Sequence, residues 1–497
     1  MIRRRVLSLA AVPVVLALLA AGAAAGAAAG GAAGGATPGS DDGPRHRSAP
    51  HGSAGIGDPY FPLDGNGGIN VISYDVHDRY RFDTGQLSGW TALRLRATQA
   101  LSGFDLDFLL PVSAVTVEGR RARFDQHRYH ELSITRALAA GQTVRVVVRY
   151  AGRPGDYTYA GESNWLADSG EVVAMNQPHM APWWFPANDH PQDKARLTVS
   201  ITVPRDLQVI SNGRRTARVD RGNGLATTTW RSDEPMVPYL AFFAAGRYAV
   251  AQGRADGRPW LVAVSRSLPA SSQQAAMGLM KRTPALLHWL ETVIGPYPFS
   301  TSGGLTTALD PGFALENQTR PTYPFMGDGP GAVSTVVHEL AHQWFGDSVA
   351  VHRWRDIWLN EGFATFMEQY YAETHGGSTA RQWLRSYYDA TDAGDGFWAH
   401  QVADPCPDHQ GCVGPIFASF VYDRGAMALQ ALRDVIGDDD FFELLGTWAA
   451  TRAGSTGSTE RFEALAETVS GQDLDGFFEA WLHSPTKPAD TAANGLG

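Results

Sequence analysis

Between residues 57 and 252 apolar and polar positions alternate in short runs broken by Gly, Asp and Pro: ALRLRA (92–97), AVTVEG (114–119), TVRVVVRY (143–150) and RLTVSITVP (196–204). Period two is the repeat of a strand with one buried face, so 57–252 is expected to be a β-rich domain. No fixed spacing argues for a solenoid or propeller. After 253 the period lengthens. SSQQAAMGLMKRTPALLHWLETVIG (271–295) is helical in period, interrupted at Pro284 and stopped by Gly295-Pro296. GLTTAL (304–309) predicts a strand before the loop DPGFALENQ, and GAVSTVVHELAHQWFG (331–346) and DIWLNEGFATFMEQYYAETHG (356–376) predict two helices, each closed by glycine. Helical spacing persists from about 416 to 483. A second, mainly α domain with a small sheet is therefore expected over 253–484, followed by a disordered tail at 485–497.

Outside this pattern lies the start, MIRRRVLSLAAVPVVLALLAAGAAAGAAAG. Three arginines precede an apolar stretch from 6 to about 20, and small residues with A-x-A cleavage sites follow. That order predicts a secretory signal peptide over 1–36 and an exported, extracellular protein, with an uncleaved anchor as the alternative. No cysteine follows it, which excludes lipid attachment there. Arg3 and Arg4 ahead of Val6 and Leu7 resemble a twin-arginine signal, which leaves the export route open. Residues 37–56 are Ala, Gly, Ser, Pro and charge, and read as a flexible linker.

Length and composition narrow the partners. A chain of 497 residues with 44% hydrophobic and 19% charged residues is globular and long enough for two or more domains. Net charge is -10, with 51 acidic groups against 41 basic ones, so no broad basic face is offered to nucleic acid. After signal cleavage no stable membrane insertion is expected, and nothing in the sequence assigns an oligomeric state. Cys406 and Cys412 are the chain's 2 cysteines. In an exported protein the pair predicts a local disulfide worth roughly 2 kcal/mol by loop entropy. Free thiols are the alternative; a cysteine-ligated metal fits less well, since two thiolates do not fill a tetrahedral site.

The chemistry concentrates in VVHELAHQWF. On a helix His338 and His342 lie one turn apart on one face, so both imidazoles can reach one ion, and Glu339 can reach a water on it without binding the metal. Nineteen residues after His342, Glu361 stands near the start of the next helix. His, His and Glu form a known catalytic zinc set with a fourth position left for water, which predicts one Zn2+ per chain. Val333, Val336, Val337, Leu340 and Trp344 supply the apolar surface that would pack the first helix.

HELAHQWFGD followed by WRDIWLNEGFA (354–364) resembles the aminopeptidase N family of zinc metallopeptidases, among the gluzincins. The likeness runs from DPYFPLDGNGG (58–68) through WWFPANDHPQDKA (183–195) and FALENQT (313–319) to GQDLDGFFEAWL (471–482). The resemblance implies a saddle-like all-β N-terminal domain, a thermolysin-like catalytic domain and peptide substrates with a free N-terminus. FALENQ stands where the family has G-A-M-E-N, so Glu316 is implied to pair with the substrate amine and Asn317 to border the substrate. Phe313 and Leu315 depart from the family's glycine and methionine, which alters the expected first side-chain pocket. Gln177, ahead of FPAND, is implied as a second amine contact reaching over from the β domain. Tyr422, 61 positions after Glu361 in VYDRGA, resembles the family's oxyanion-stabilising tyrosine. Many relatives continue as a helical C-terminal domain over the site; this sequence stops soon after FFEAWLH, so a more open site is expected. The expected function is a secreted zinc aminopeptidase. The alternatives are a zinc endopeptidase or mixed-activity peptidase and, from another class, an extracellular binding module braced by structural zinc.

Overall fold

A computed structural model describes residues 49–126 and 130–497, and the expected signal peptide (1–36) lies outside them. Residues Ser48–Gly497 form one compact unit. The alternating runs become strands Gln86–Ala97, Val112–Val117, Thr143–Gly152 and Ala195–Pro204 of an eight-stranded sheet, in which Ile69–Arg81 pairs antiparallel with Gln86–Ala97 and parallel with Ala195–Pro204. Their inward positions, among them Leu93, Leu95, Val146, Val148, Val199 and Ile201, are buried in one core with Trp183, Trp184 and Phe185.

A second core belongs to the helical half. It is floored by a four-stranded sheet of Tyr248–Ala255, Arg258–Ser265, Ser302–Thr306 and Thr322–Tyr323. The expected boundary at 252 falls inside its first strand. Pairing moves the start of the helical half to Tyr248, since that strand's partner continues in parallel with Ser302–Thr306. The helical run 271–295 divides into Ala270–Met280 and Thr283–Ile294, with Pro284 in the first turn of the second helix, where its missing N–H costs nothing.

Two ends differ from the sequence reading. The linker expected over 37–56 stops short: His51 bridges to Gly103, and Gly52 donates to the Gly103 carbonyl at 3.0 Å. A Cβ at Gly52 would lie 2.6 Å from the Gly67 oxygen, so glycine permits the contact. The expected disordered tail is docked. Lys487 Nζ donates to the Tyr388 and Thr391 carbonyls at 2.7 and 2.8 Å, Trp481 Nε1 donates to the Asn494 carbonyl at 3.1 Å, and Leu496 is buried. Polar composition hid these contacts because most of them run to backbone. Cys406 and Cys412 form a disulfide. Among the described residues no helix is long and apolar enough to cross a membrane.

Candidate active site

Two helices carry the metal-type donors. Pro330–Ala341 opens with proline at N1 and buries Val333, Val336, Val337 and Leu340, which turns His338 and His342 toward the neighbouring helix Trp358–Thr374. There Glu361 Oε2 lies 3.4 Å from His338 Nε2 and 3.3 Å from His342 Nε2. Two ligands on a tetrahedral zinc, each at about 2.0–2.1 Å, stand about 3.3–3.4 Å apart, so the spacing fits one such ion. The other ring nitrogens are committed. His338 Nδ1 meets Glu368 Oε1 at 2.8 Å and His342 Nδ1 meets the Phe345 carbonyl at 3.0 Å, which fixes both Nε2 atoms as the free lone pairs. Ser334 donates to the other oxygen of Glu368. Among the described residues His338, His342 and Glu361 converge on one point, and Glu316 and Glu339 also come within reach of His342. Glu339 and Tyr422 border the fourth side, unlike a closed four-ligand structural site.

These groups line a cavity of about 350 Å³ together with Gln177, Phe313, Ala314, Glu316 and Phe417. Glu339 is buried and lines the cavity. Burial pushes its carboxyl up and outweighs the lowering pull of His338 and His342, and Glu316 and Glu361 add smaller upward pushes that leave it at about 8. Burial also raises Glu361, but His342 and His338 prevail and hold it at about 2. The Tyr422 ring lies parallel to His338 with centroids 6.0 Å apart. Burial and then Glu361, Glu316 and Glu339 keep the Tyr422 phenol protonated, with a pKa well above its ordinary value.

Glu316 is held from three sides. Its Oε1 accepts from Tyr239 at 2.8 Å and from Gln177 at 3.0 Å, both from the β half, and its carbonyl accepts from Gln343 Nε2 at 2.9 Å. Gln343 Oε1 accepts the Thr319 amide at 2.7 Å, so the residue after His342 fastens the whole FALENQT segment to the metal-ligand helix. Leu315 pairs with Thr322 through two 2.8 Å backbone bonds, while Phe313 is exposed at the cavity's edge. Asn317 is fully buried, donates to the Leu240 carbonyl at 3.2 Å and does not line the cavity, so its place is behind the site. The remaining sequence candidates meet in this one cavity. Glu368, Gln343, Tyr239 and Phe417 were not anticipated. Glu368 alone carried a local signal, standing seven residues after Glu361 on the same helix.

Comparison with known proteins agrees with this arrangement. Residues 321–481 match the peptidase family M1 domain, and residues 106–240 match the peptidase M1 N-terminal domain. An M1 zinc metallopeptidase from Deinococcus radiodurans, a mutant solved with a Tyr-Ser-Ala substrate, is 29% identical with a TM-score of 0.77, covering 88% of this chain and 99% of that one. Tricorn protease-interacting factor F2 of Thermoplasma volcanium is 26% identical over 60% of this chain and 39% of its own length. Aminopeptidase N of Lactococcus lactis subsp. cremoris is 28% identical over 68% of this chain and 41% of its own. The chain thus spans about two fifths of the length of these two curated relatives.

Proposed function

The chain belongs to peptidase family M1, the aminopeptidase N family, and from that premise we propose that it is an exported zinc aminopeptidase removing the first residue of peptides. The observation that carries this reading is the position of Glu316: its carboxylate is clamped by Tyr239 and Gln177, and its backbone by Gln343, in the same cavity as His338, His342 and Glu361. A carboxylate fixed in this way is a directional partner for an α-ammonium, and it sets the first peptide bond beside the metal ligands. Zinc held by His338, His342 and Glu361 would polarise the scissile carbonyl and acidify a water. Glu339 takes a proton from the attacking water and delivers it to the leaving amine. Tyr422, protonated at neutral pH, donates to the oxygen that gains charge. Gln177 contributes a second polar contact to the amine from the β half. Phe313, Ala314 and Phe417 supply apolar wall for the first side chain. Export is supported by the arginine-led apolar start of the sequence and by the Cys406–Cys412 disulfide, a bond that persists in oxidising compartments.

The test is a panel of free and N-acetylated aminoacyl chromogenic substrates, assayed with and without chelator. The free amines should turn over, chelation should abolish turnover, and added zinc should restore it. Acetylated substrates cleaved as fast as free ones would remove the role assigned to Glu316 and point to an endopeptidase.

A further inference from the structure

Away from the cavity, the β half buries a second group of metal-type side chains. Asp107 ends strand Phe104–Asp107, and Glu131 begins strand Glu131–Thr135; the two are directly opposite in an antiparallel pair. His130 precedes Glu131, and Asp64 comes from the loop ahead of strand Ile69–Arg81. Relative exposures are 0% for Asp107, 1% for His130, 7% for Glu131 and 1% for Asp64. One donor atom from each of Asp107, His130 and Glu131 falls within 4.8 Å of the others, and His130 Nε2 lies 3.8 Å from Asp64 Oδ1.

The polar atoms here are not used as a hydrogen-bonded network would use them. Among the described residues, both Glu131 oxygens, Asp189 Oδ2 and His130 Nδ1 have no hydrogen-bond partner. Asp107 Oδ1 sits 3.1 Å from His130 Nε2, a spacing that also suits two ligands facing a shared point. Adjacent ligands on an ion about 2.1 Å away stand about 3.0–3.4 Å apart in octahedral or tetrahedral geometry. Charge is also out of balance. Among the described residues the cationic partners of Asp64, Asp107 and Glu162 are imidazoles, His179 against Asp64 and Glu162 and His130 against Asp107, while Tyr159, the Asp189 amide and Asn176 donate neutral hydrogen bonds to Asp64, Asp107 and Glu162. Burial, then Asp107, Asp105 and Asp64, push the Glu131 carboxyl up to about 9. A buried carboxylate set this short of positive charge must take up protons or a cation.

We propose that Asp107, His130 and Glu131, with Asp64 beside them, bind a second divalent cation of the zinc or manganese class. Its role is structural: three buried donors converge, and Asp64, whose Oδ1 also accepts from Tyr159 at 2.8 Å, stands where it can supply a fourth. The imidazole among the carboxylates favours this class over calcium. The ion ties the strand pair to the loop carrying Asp64, and through the Asp189 amide on Asp107 Oδ2 (2.6 Å) to the segment after Trp183.

Metal content of the purified, chelator-stripped and zinc-reloaded protein decides it, read by elemental mass spectrometry on wild type, His342→Ala and Glu131→Gln. The expected values are two equivalents per chain in wild type, one in His342→Ala and one in Glu131→Gln, with turnover kept in the last. Since the Glu131 side chain makes no hydrogen bond among the described residues, glutamine weakens a ligand without breaking one. One equivalent in wild type and none in His342→Ala would overturn the proposal and show that protons balance the charge. A second ion surviving Glu131→Gln would overturn it too, as would a second equivalent taken up with Ca2+ but with neither Zn2+ nor Mn2+. Should Glu131→Gln not fold, anomalous diffraction at the zinc edge from wild-type crystals decides. A peak between Asp107, His130 and Glu131 supports the proposal, and a peak confined to His338, His342 and Glu361 overturns it. His342→Ala separates this outcome from any failure of the aminopeptidase reading.

Discussion

At the scale of single residues, Glu339 and Glu368 divide the work around the metal ligands. Only the ionised Glu339 can take a proton, so kcat/KM should fall as pH falls through its pKa. Burial raises that carboxyl toward about 8 from an ordinary 4.5, and a dication on the neighbouring ligands draws it back down. The acidic limb should therefore lie between those values; an inflection at or below 4.5 in a pH profile would remove Glu339 as the base. Glu339→Ala should keep zinc and lower kcat by about 10²–10⁴-fold, checked by metal content and turnover on one preparation. Glu368→Ala should instead weaken zinc binding by about 10–100-fold, measured by chelator competition, because His338 loses the carboxylate that orients its ring. The sequence made Glu339 legible through its place between two histidines at helical spacing. It left Glu368 silent, because a glutamate late on a helix is usually a solvated side chain, and only the crossing of the two helices brings it onto His338.

At the scale of elements, the long periodic segments were readable and their joints were not. Alternation marked the strands, since each buries one face, and the helix holding His338 and His342 announced itself through its valines. The break between Met280 and Thr283, the docking of 485–497 and the start of the catalytic sheet at Tyr248 depend on partners far along the chain. So does the approach of Gly362 to Gly425. A Cβ at Gly362 would lie 3.0 Å from both Cα and the carbonyl carbon of Gly425, backbone atoms that cannot swing aside. Gly362 follows Glu361 and Gly425 stands three residues after Tyr422, so this contact sets the distance between a metal ligand and the phenol. Gly362→Ala should cost about 1–3 kcal/mol by overpacking. It should also lower kcat more than it raises KM, since the phenol contact assigned to Tyr422 matters as charge develops on the carbonyl oxygen. Thermal melts and steady-state kinetics measure the two effects, and an unchanged kcat would show that the helix spacing is slack.

At the scale of the whole molecule, the site is shared by both halves. Tyr239 and Gln177 reach Glu316 from the β half, and Asn212 Nδ2 donates to the Leu240 and Gln318 carbonyls, each at 2.9 Å. Lys194 makes the corresponding link behind the metal ligands. From strand-entry position 194 its Nζ donates to the Asp347 and Ser348 carbonyls, both at 2.7 Å, and those two residues are buried. Their amides in turn donate to the His342 and Gln343 carbonyls at 2.9 and 3.2 Å, so one ammonium fixes the turn that ends the metal-ligand helix. Lys194→Met keeps most of the apolar stem but strands two buried carbonyls, a loss of about 2–4 kcal/mol at about 1–2 kcal/mol each. The urea midpoint should fall with an unchanged slope, because the change weakens the native state without altering how much surface unfolding exposes. Turnover should drop as His342 and Gln343 lose their backing. A midpoint shift worth under about 0.5 kcal/mol, the range of ordinary surface substitutions, would mean that the halves are held together by their packed cores and that the Lys194 bonds contribute little.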